Sequence, residues 1–348
     1  MSTLVSTRPA SGRPTTGRGS RRRAGVGFAI ATATLGVACA LSLAIGSSSS
    51  LGMLDALHAF FTGTGDAAAV VDARATRTLV AVVVGASVAV SGAALQGLTR
   101  NPLADPGLLG VNAGASLAVV IGLTAGFAGN QLSFVLLALL GGALAAFAVY
   151  AIASAAYGGA GPITLALTGA AVTAGCSSIT AALLMRDQGA LEVYRFWQVG
   201  SVGGRESANL LLTLPFLAVG ALIVIASART LNALALGDDL ARALGRRVAL
   251  VRITVAAGAV LLACTATSIA GPIAFVGLVV PHVVRGFAGP DHTRLLPLCA
   301  LGGAVMLTLA DVIGRVVARP GELPAGILTA LVGVPALIVL LRRKVVTL

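Results

Sequence analysis

From residue 24 onward, long apolar runs alternate with short clusters of Arg, Asp, Gly and Pro. Runs long enough to cross about 30 Å of hydrocarbon recur near 24–46, 78–98, 107–127, 132–156, 163–185, 208–228, 248–268, 273–287, 295–314 and 324–341. The pattern predicts an all-α polytopic membrane protein of about ten transmembrane helices. The run at 273–287 is short and carries Pro281, His282 and Arg285, as a half-helix or a steeply placed helix would. Nine or eleven spans remain open on this pattern alone. Residues 1–23 are polar, with Arg8, Arg13, Arg18 and the run Arg21, Arg22, Arg23, and are expected to form a disordered cytoplasmic tail ahead of a transmembrane domain at 24–348. Ser20-Arg21-Arg22 faintly resembles a twin-arginine signal. The apolar run that follows is longer than the roughly 7–15 residues of a signal h-region and no small-x-small cleavage site closes it, so it reads as a retained helix.

Composition agrees with a bilayer as solvent. The chain of 348 residues is 57% hydrophobic and 10% charged, too little charge to cover a water-soluble globule of this size. Its formal net charge of +12 would suggest nucleic acid in a soluble protein. Here the basic residues stand at the ends of apolar runs without interleaved aromatics, so the charge is topological and no nucleic-acid partner is expected. Cys39, Cys176, Cys264 and Cys299 lie singly inside apolar segments and read as small hydrophobes.

Placing the tail inside puts Arg100, Arg229, Arg242, Arg246, Arg247, Arg252, Arg285, Arg294, Arg342, Arg343 and Lys344 on the same side. Only Arg74, Arg77, Arg186, Arg195, Arg205, Arg315 and Arg319 fall outside, and the positive-inside rule then predicts both termini in the cytoplasm. An internal repeat supports this topology. Asn101 to Leu109 aligns without gaps on Gly271 to Val279, matching Pro102 with Pro272, Ala104 with Ala274 and Gly107 with Gly277. With five spans between the copies they would face opposite sides of the membrane, an inverted repeat of the kind transporters use.

Absent chemistry narrows the function. A P-loop requires a lysine in a Gly-rich turn, and the one lysine, Lys344, lies in the C-terminal tail, so any ATP must be used by a partner. His58, His282 and His292 have no partner spacing for a metal. Asp311 and Arg315 stand four apart and read as a mutually satisfied pair before a proton relay. One polar insertion, about 229–252, contains Gly237-Asp238-Asp239 as a helix start, Leu240, Ala243 and Leu244 as an apolar edge, and Gly245 as a stop. A short amphipathic helix protruding inside fits docking to a cytoplasmic partner better than a plain connector.

Four motifs in order carry a family resemblance. Ser91 to Gly110 (SGAALQGLTRNPLADPGLLG), Leu234 to Asp239 (LALGDD), Gly271 to His282 (GPIAFVGLVVPH) and Glu322 to Gly326 (ELPAG) resemble the permease subunits of ABC importers for iron-siderophores, haem and cobalamin, the FecCD-type permeases. The resemblance implies ten helices, a second permease subunit, identical or sister, around one central pathway, two ATPase subunits below and an extracytoplasmic substrate-binding protein above. It also implies that ATP and Mg are bound by the ATPase and no cofactor by this chain. By the same resemblance Leu236, Gly237, Asp238, Asp239, Ala241, Arg242, Leu244 and Gly245 form an ATPase-coupling helix. Arg74, Arg77 and Arg315 match arginines that meet acidic residues of the binding protein, with Arg319 close by. The helix from Thr164 to about Met185 resembles a pore-lining helix: Gly161, Pro162, Thr164, Thr168, Gly169, Ala174, Ser177 and Ser178 are its candidate pathway and gate residues, after a Gly158-Gly159-Ala160 turn. Lining and helix packing both suit its small residues.

The reading that results is a permease subunit carrying an iron(III)-siderophore complex inward across the cytoplasmic membrane, not itself an enzyme. Arg195 to Ser201 (RFWQVGS) with Gly204-Arg205 looks more like catecholate-siderophore permeases than cobalamin ones. A cobalamin or haem permease and an ion-gradient-driven secondary transporter are the alternatives. The latter predicts buried carboxylates, which are scarce.

Overall fold

The computed structural model describes residues 17–46, 53–63, 68–156, 161–205, 207–243 and 247–345. Among the described residues the secondary structure is helical: α1 (Gly17–Ala44), α2 (Met53–Thr62), α3 (Ala68–Thr99), a 3₁₀ turn (Pro106–Leu109), α4 (Val111–Thr124), α5 (Gln131–Ala155), α6 (Pro162–Leu184), α7 (Gln188–Gln198), α8 (Ser207–Ala226), α9 (Ala228–Ala235), α10 (Asp238–Ala243), α11 (Val248–Ala270), α12 (Val276–Ala288), α13 (His292–Val317) and α14 (Ala325–Val345). Seven helices are long and apolar enough to cross a membrane, and the shorter apolar helices Val111–Thr124, Val276–Ala288 and Ala325–Val339 accompany them. Each coincides with one of the ten apolar runs. The protein is a multi-pass membrane protein.

Two boundaries differ from the sequence reading. Helix α1 begins at Gly17, so Arg18, Arg21, Arg22 and Arg23, placed in a disordered tail, stand on its first turns. Arginine is a good helix former, and Pro14 is the last proline before the run. Residues 1–16 lie outside the described residues. The run at 107–127 is divided, because Asp105 accepts from the Gly107 amide to cap the 3₁₀ turn and Gly110, at φ 71°, breaks it before α4 starts.

The core forms where α3 packs on α11, α12 and α13. With little hydrophobic drive between helices in lipid, close backbone approach has to supply the packing, and glycines permit it. Gly85 of α3 lies against the Gly303 carbonyl of α13, and Gly92 against the Gly277 carbonyl of α12, leaving no room for a methyl at either place. Packing fixes direction as well. The end of α3 carries Gln96, whose amide nitrogen donates to Gly277 O at 3.1 Å. The end of α11 instead meets the opposite face, where Ser201 N donates to Ala270 O and Gly326 N to Gly200 O. The two repeat copies therefore enter the bundle from opposite faces and meet, with the Asp105 carboxylate against Gly277.

Candidate functional site

Polar side chains are few, and they gather at the two ends of the bundle. At one end stands a collar of arginines around the C-terminus of α1. The last carbonyls of a helix have no intrahelical partner and carry the negative end of its dipole. Arg74 of α3 donates to Leu43 O and Ala44 O, both at 2.9 Å. Arg315 of α13 donates to Ser42 O at 2.9 Å, Ile45 O at 2.8 Å and Ser42 Oγ at 2.6 Å, and Arg319 reaches Gly46 O at 3.0 Å. Planar guanidinium groups with several fixed donors suit this fan of acceptors better than an ammonium would.

Asp311 holds the collar together. Its carboxylate lies 2.7 Å from Arg77 Nη2 and 3.0 Å from Arg315 Nη2, with its side chain 1% exposed. Arg77 also donates its Nε to both oxygens of Asp311 and its Nη1 to Glu322 at 2.7 Å. The expected pairing of Asp311 with Arg315 is present, and Arg77 makes it a triad. The four arginines proposed to meet a binding protein are thus brought together, but unequally placed. Arg74 and Arg315 are buried, with their acceptors on their own chain, and of the four only Arg77 in part and Arg319 reach the surface.

The opposite end carries α9 and α10, the segment that the family resemblance assigns to ATPase coupling. Gly237 adopts φ 113°, a region closed to L side chains, and turns the chain sharply between α9 and α10. Ala241 points inward against Leu234 and Val248, so it faces its own chain, whereas the resemblance placed it with the partner-facing residues. Leu236 and Leu240 are exposed, at 63% and 48%, and Asp239 and Arg242 pair on the surface at 2.7 Å. Helix α10 starts at Asp238, while Leu244 and Gly245 lie outside the described residues.

Behind this segment a second polar cluster ties α9 to α13. The Asn232 amide nitrogen donates to Asp291 Oδ1 at 2.7 Å, and its oxygen accepts from the His292 amide at 2.9 Å and faces His292 Nδ1 at 2.8 Å. Asp291 caps α13 by accepting from Thr293 N. Burial raises its pKa, but the Asn232 and Thr293 hydrogen bonds and the Arg294 charge outweigh this and hold it below its ordinary value. Beside the cluster, Arg285 of α12 donates to Gln96 Oε1 at 2.7 Å.

Helices α6 and α1 are the least covered of the long spans. Ala174, Ser177 and Ser178 lie on the open face of α6, while Gly161, Thr164 and Thr168 are half-buried. Gly169 is a packing position, because its Cα rests against the Leu108 carbonyl of the 3₁₀ turn. Pro162 opens the helix, and the Gly158-Gly159-Ala160 turn lies outside the described residues.

The sequence model of the FecCD transport family matches residues 34–343. The chain belongs to this family. It is 42% identical over 313 residues to the ferric enterobactin transport system permease protein FepD of Escherichia coli K12, covering 88% of this chain and 92% of that protein. Identity to the Fe(3+)-citrate import system permease protein YfmD of Bacillus subtilis is 38%, over 87% and 90% of the two chains. A solved metal-chelate type ABC transporter in an inward-facing conformation superposes with a TM-score of 0.79 at 28% identity, covering 93% of this chain and 99% of that one.

In this FecCD chain, sequence reasoning gave no individual role to Ser42, Gln96, Asn232, Asp291 and Glu322, which complete the two polar ends. Polar residues inside or beside apolar runs were the available signal.

Proposed function

We propose that this chain is the membrane permease subunit of an ABC importer that carries an iron(III)-siderophore complex into the cell, with ATP and Mg bound by separate ATPase subunits. Family membership carries this reading, and the protruding α10, with exposed Leu236 and Leu240 beside an acidic start, supports an ATPase-docking role. The positive-inside count makes the α10 face cytoplasmic and the collar face outer. A substrate-binding protein then docks over Arg77, Glu322 and Arg319, the exposed members of the collar, while Arg74 and Arg315 hold that surface in shape. The open face of α6 with Ala174, Ser177 and Ser178 borders the pathway shared with a second permease subunit.

An ion-gradient mechanism finds little support. Such carriers need a carboxylate free to exchange a proton or sodium; of the two candidates, Asp311 is committed to two arginines and Asp105 caps the 3₁₀ turn by accepting from the Gly107 amide. The test is purification from native membrane, identification of every bound subunit and assay of ATP hydrolysis. ATPase subunits should co-purify with the wild-type chain and be lost with Asp238→Lys/Asp239→Lys. A chain that runs alone and hydrolyses nothing would overturn the proposal.

A further inference from the structure

Helix α13 takes part in both polar ends, and α3, with Arg74 and Arg77 at one end and Gln96 at the other, runs beside it. At its start, Asp291 and His292 are bonded to Asn232 of α9, the helix that leads into the coupling segment. At its end, Asp311 and Arg315 hold Arg77 of α3 and the carbonyls of α1. From His292 to Arg315 the helix spans about 35 Å, roughly the thickness of the membrane core. Between the ends it is locked to α3 by the backbone contact of Gly303 with Gly85, and a pair of helices in such contact moves as one body. The joint at the start is polar and directional. Asn232 both donates and accepts there, so its two bonds fix the orientation of α9 on α13, whereas the apolar contacts of Leu231 and Leu234 would tolerate sliding.

We propose that α13 is the strut linking the outer collar to the cytoplasmic coupling segment, and that Asn232 is the positioning residue that joins the strut to that segment. A binding protein pressing on the collar displaces α13 together with α3, and Asn232 carries the displacement into α9 and α10, where the ATPase is engaged. Closure of the ATPase returns along the same route. This inference rests on the importer reading above.

The Asn232–Asp291 pair allows a charge-exchange test. Asn232→Asp places two carboxylates at hydrogen-bond distance and breaks the joint, whereas Asn232→Asp with Asp291→Asn restores one donor facing one acceptor. The complex of permease, ATPase and binding protein is reconstituted in nanodiscs, and ATP hydrolysis is measured with and without the loaded binding protein. The probe is whichever of an iron(III)-catecholate, iron(III)-hydroxamate or iron(III)-citrate complex stimulates the wild-type complex most. The single variant should assemble with its ATPase and keep basal hydrolysis, yet lose stimulation by about tenfold, and the exchanged pair should recover it to within about threefold. A purely structural staple would lower assembly and basal hydrolysis together, without a selective loss of stimulation, and that result would overturn the proposal, as would undiminished stimulation in the assembled single variant. If Asn232→Asp does not assemble, Asn232→Ala, which removes both bonds without adding charge, is judged by the same outcomes. Absence of any ATPase from the wild-type preparation would count against the importer reading itself, a result distinct from these.

Discussion

Removing Asp311 should destabilise the fold far more than removing the other acid of the collar. The Asp311 carboxylate, 1% exposed, lies between Arg77 and Arg315, and its loss in Asp311→Ala leaves Arg315 without its carboxylate partner while Arg77 keeps Glu322. Breaking one partner out of a buried ion pair costs about 3–5 kcal/mol. Here the remaining cations keep some carbonyl acceptors on α1, which favours the lower part of that range, about 3 kcal/mol. Glu322 pairs with Arg77 and its side chain is 38% exposed, so Glu322→Ala should cost about 0–1 kcal/mol. Reversible unfolding in mixed micelles with increasing SDS, at fixed lipid and salt, gives both values. A gap of at least about 2 kcal/mol between the variants is expected. Equal losses would refute the view that Asp311 is the keystone of the collar.

Further outcomes follow from single contacts. Gly92→Ala pushes a methyl into the Gly277 carbonyl and should destabilise by about 1–3 kcal/mol, while Gly175→Ala, facing open space on α6, should be neutral or stabilise by up to about 1 kcal/mol; thermal aggregation of the solubilised protein distinguishes them. Leu240→Asp should abolish ATPase co-purification with little change in thermal stability, since the side chain is exposed. Because the Asp291 pKa is depressed in the fold, its contribution is fully present above the ordinary value of 3.8 and is lost as pH falls through the lower folded value. The stability difference between wild type and Asp291→Asn should therefore persist from neutral pH down to about 4 and close below it, as unfolding followed across that range would show.

The ten membrane helices were legible because a bilayer demands about 20 apolar residues per crossing and punishes exceptions. The short helices α2, α7 and α9 were not anticipated. Runs of 8 to 11 residues are too short for their pattern alone to be separated from loop. The arginine pattern was legible as an exception to the positive-inside rule, but its destination was not. Arg74 and Arg315 find the end of α1, more than 25 residues before the first of them, and which carbonyls a distant helix leaves unpaired is a tertiary fact. The turn into α10 was readable through Gly237 and the acidic start after it. Asn232 was not, because an asparagine in a polar insertion looks solvated until the packing of α9 brings it to the cap of α13.

The central claim is ATP-powered uptake of an iron(III)-siderophore through this chain. Its most direct test loads proteoliposomes containing the permease and its co-purified ATPase with ATP and Mg, adds binding protein and radio-iron chelate on the opposite face, and follows accumulation of the chelate. Accumulation that requires hydrolysable ATP and is indifferent to proton or sodium gradients is the predicted result. Accumulation driven by an imposed ion gradient without ATP would contradict the account.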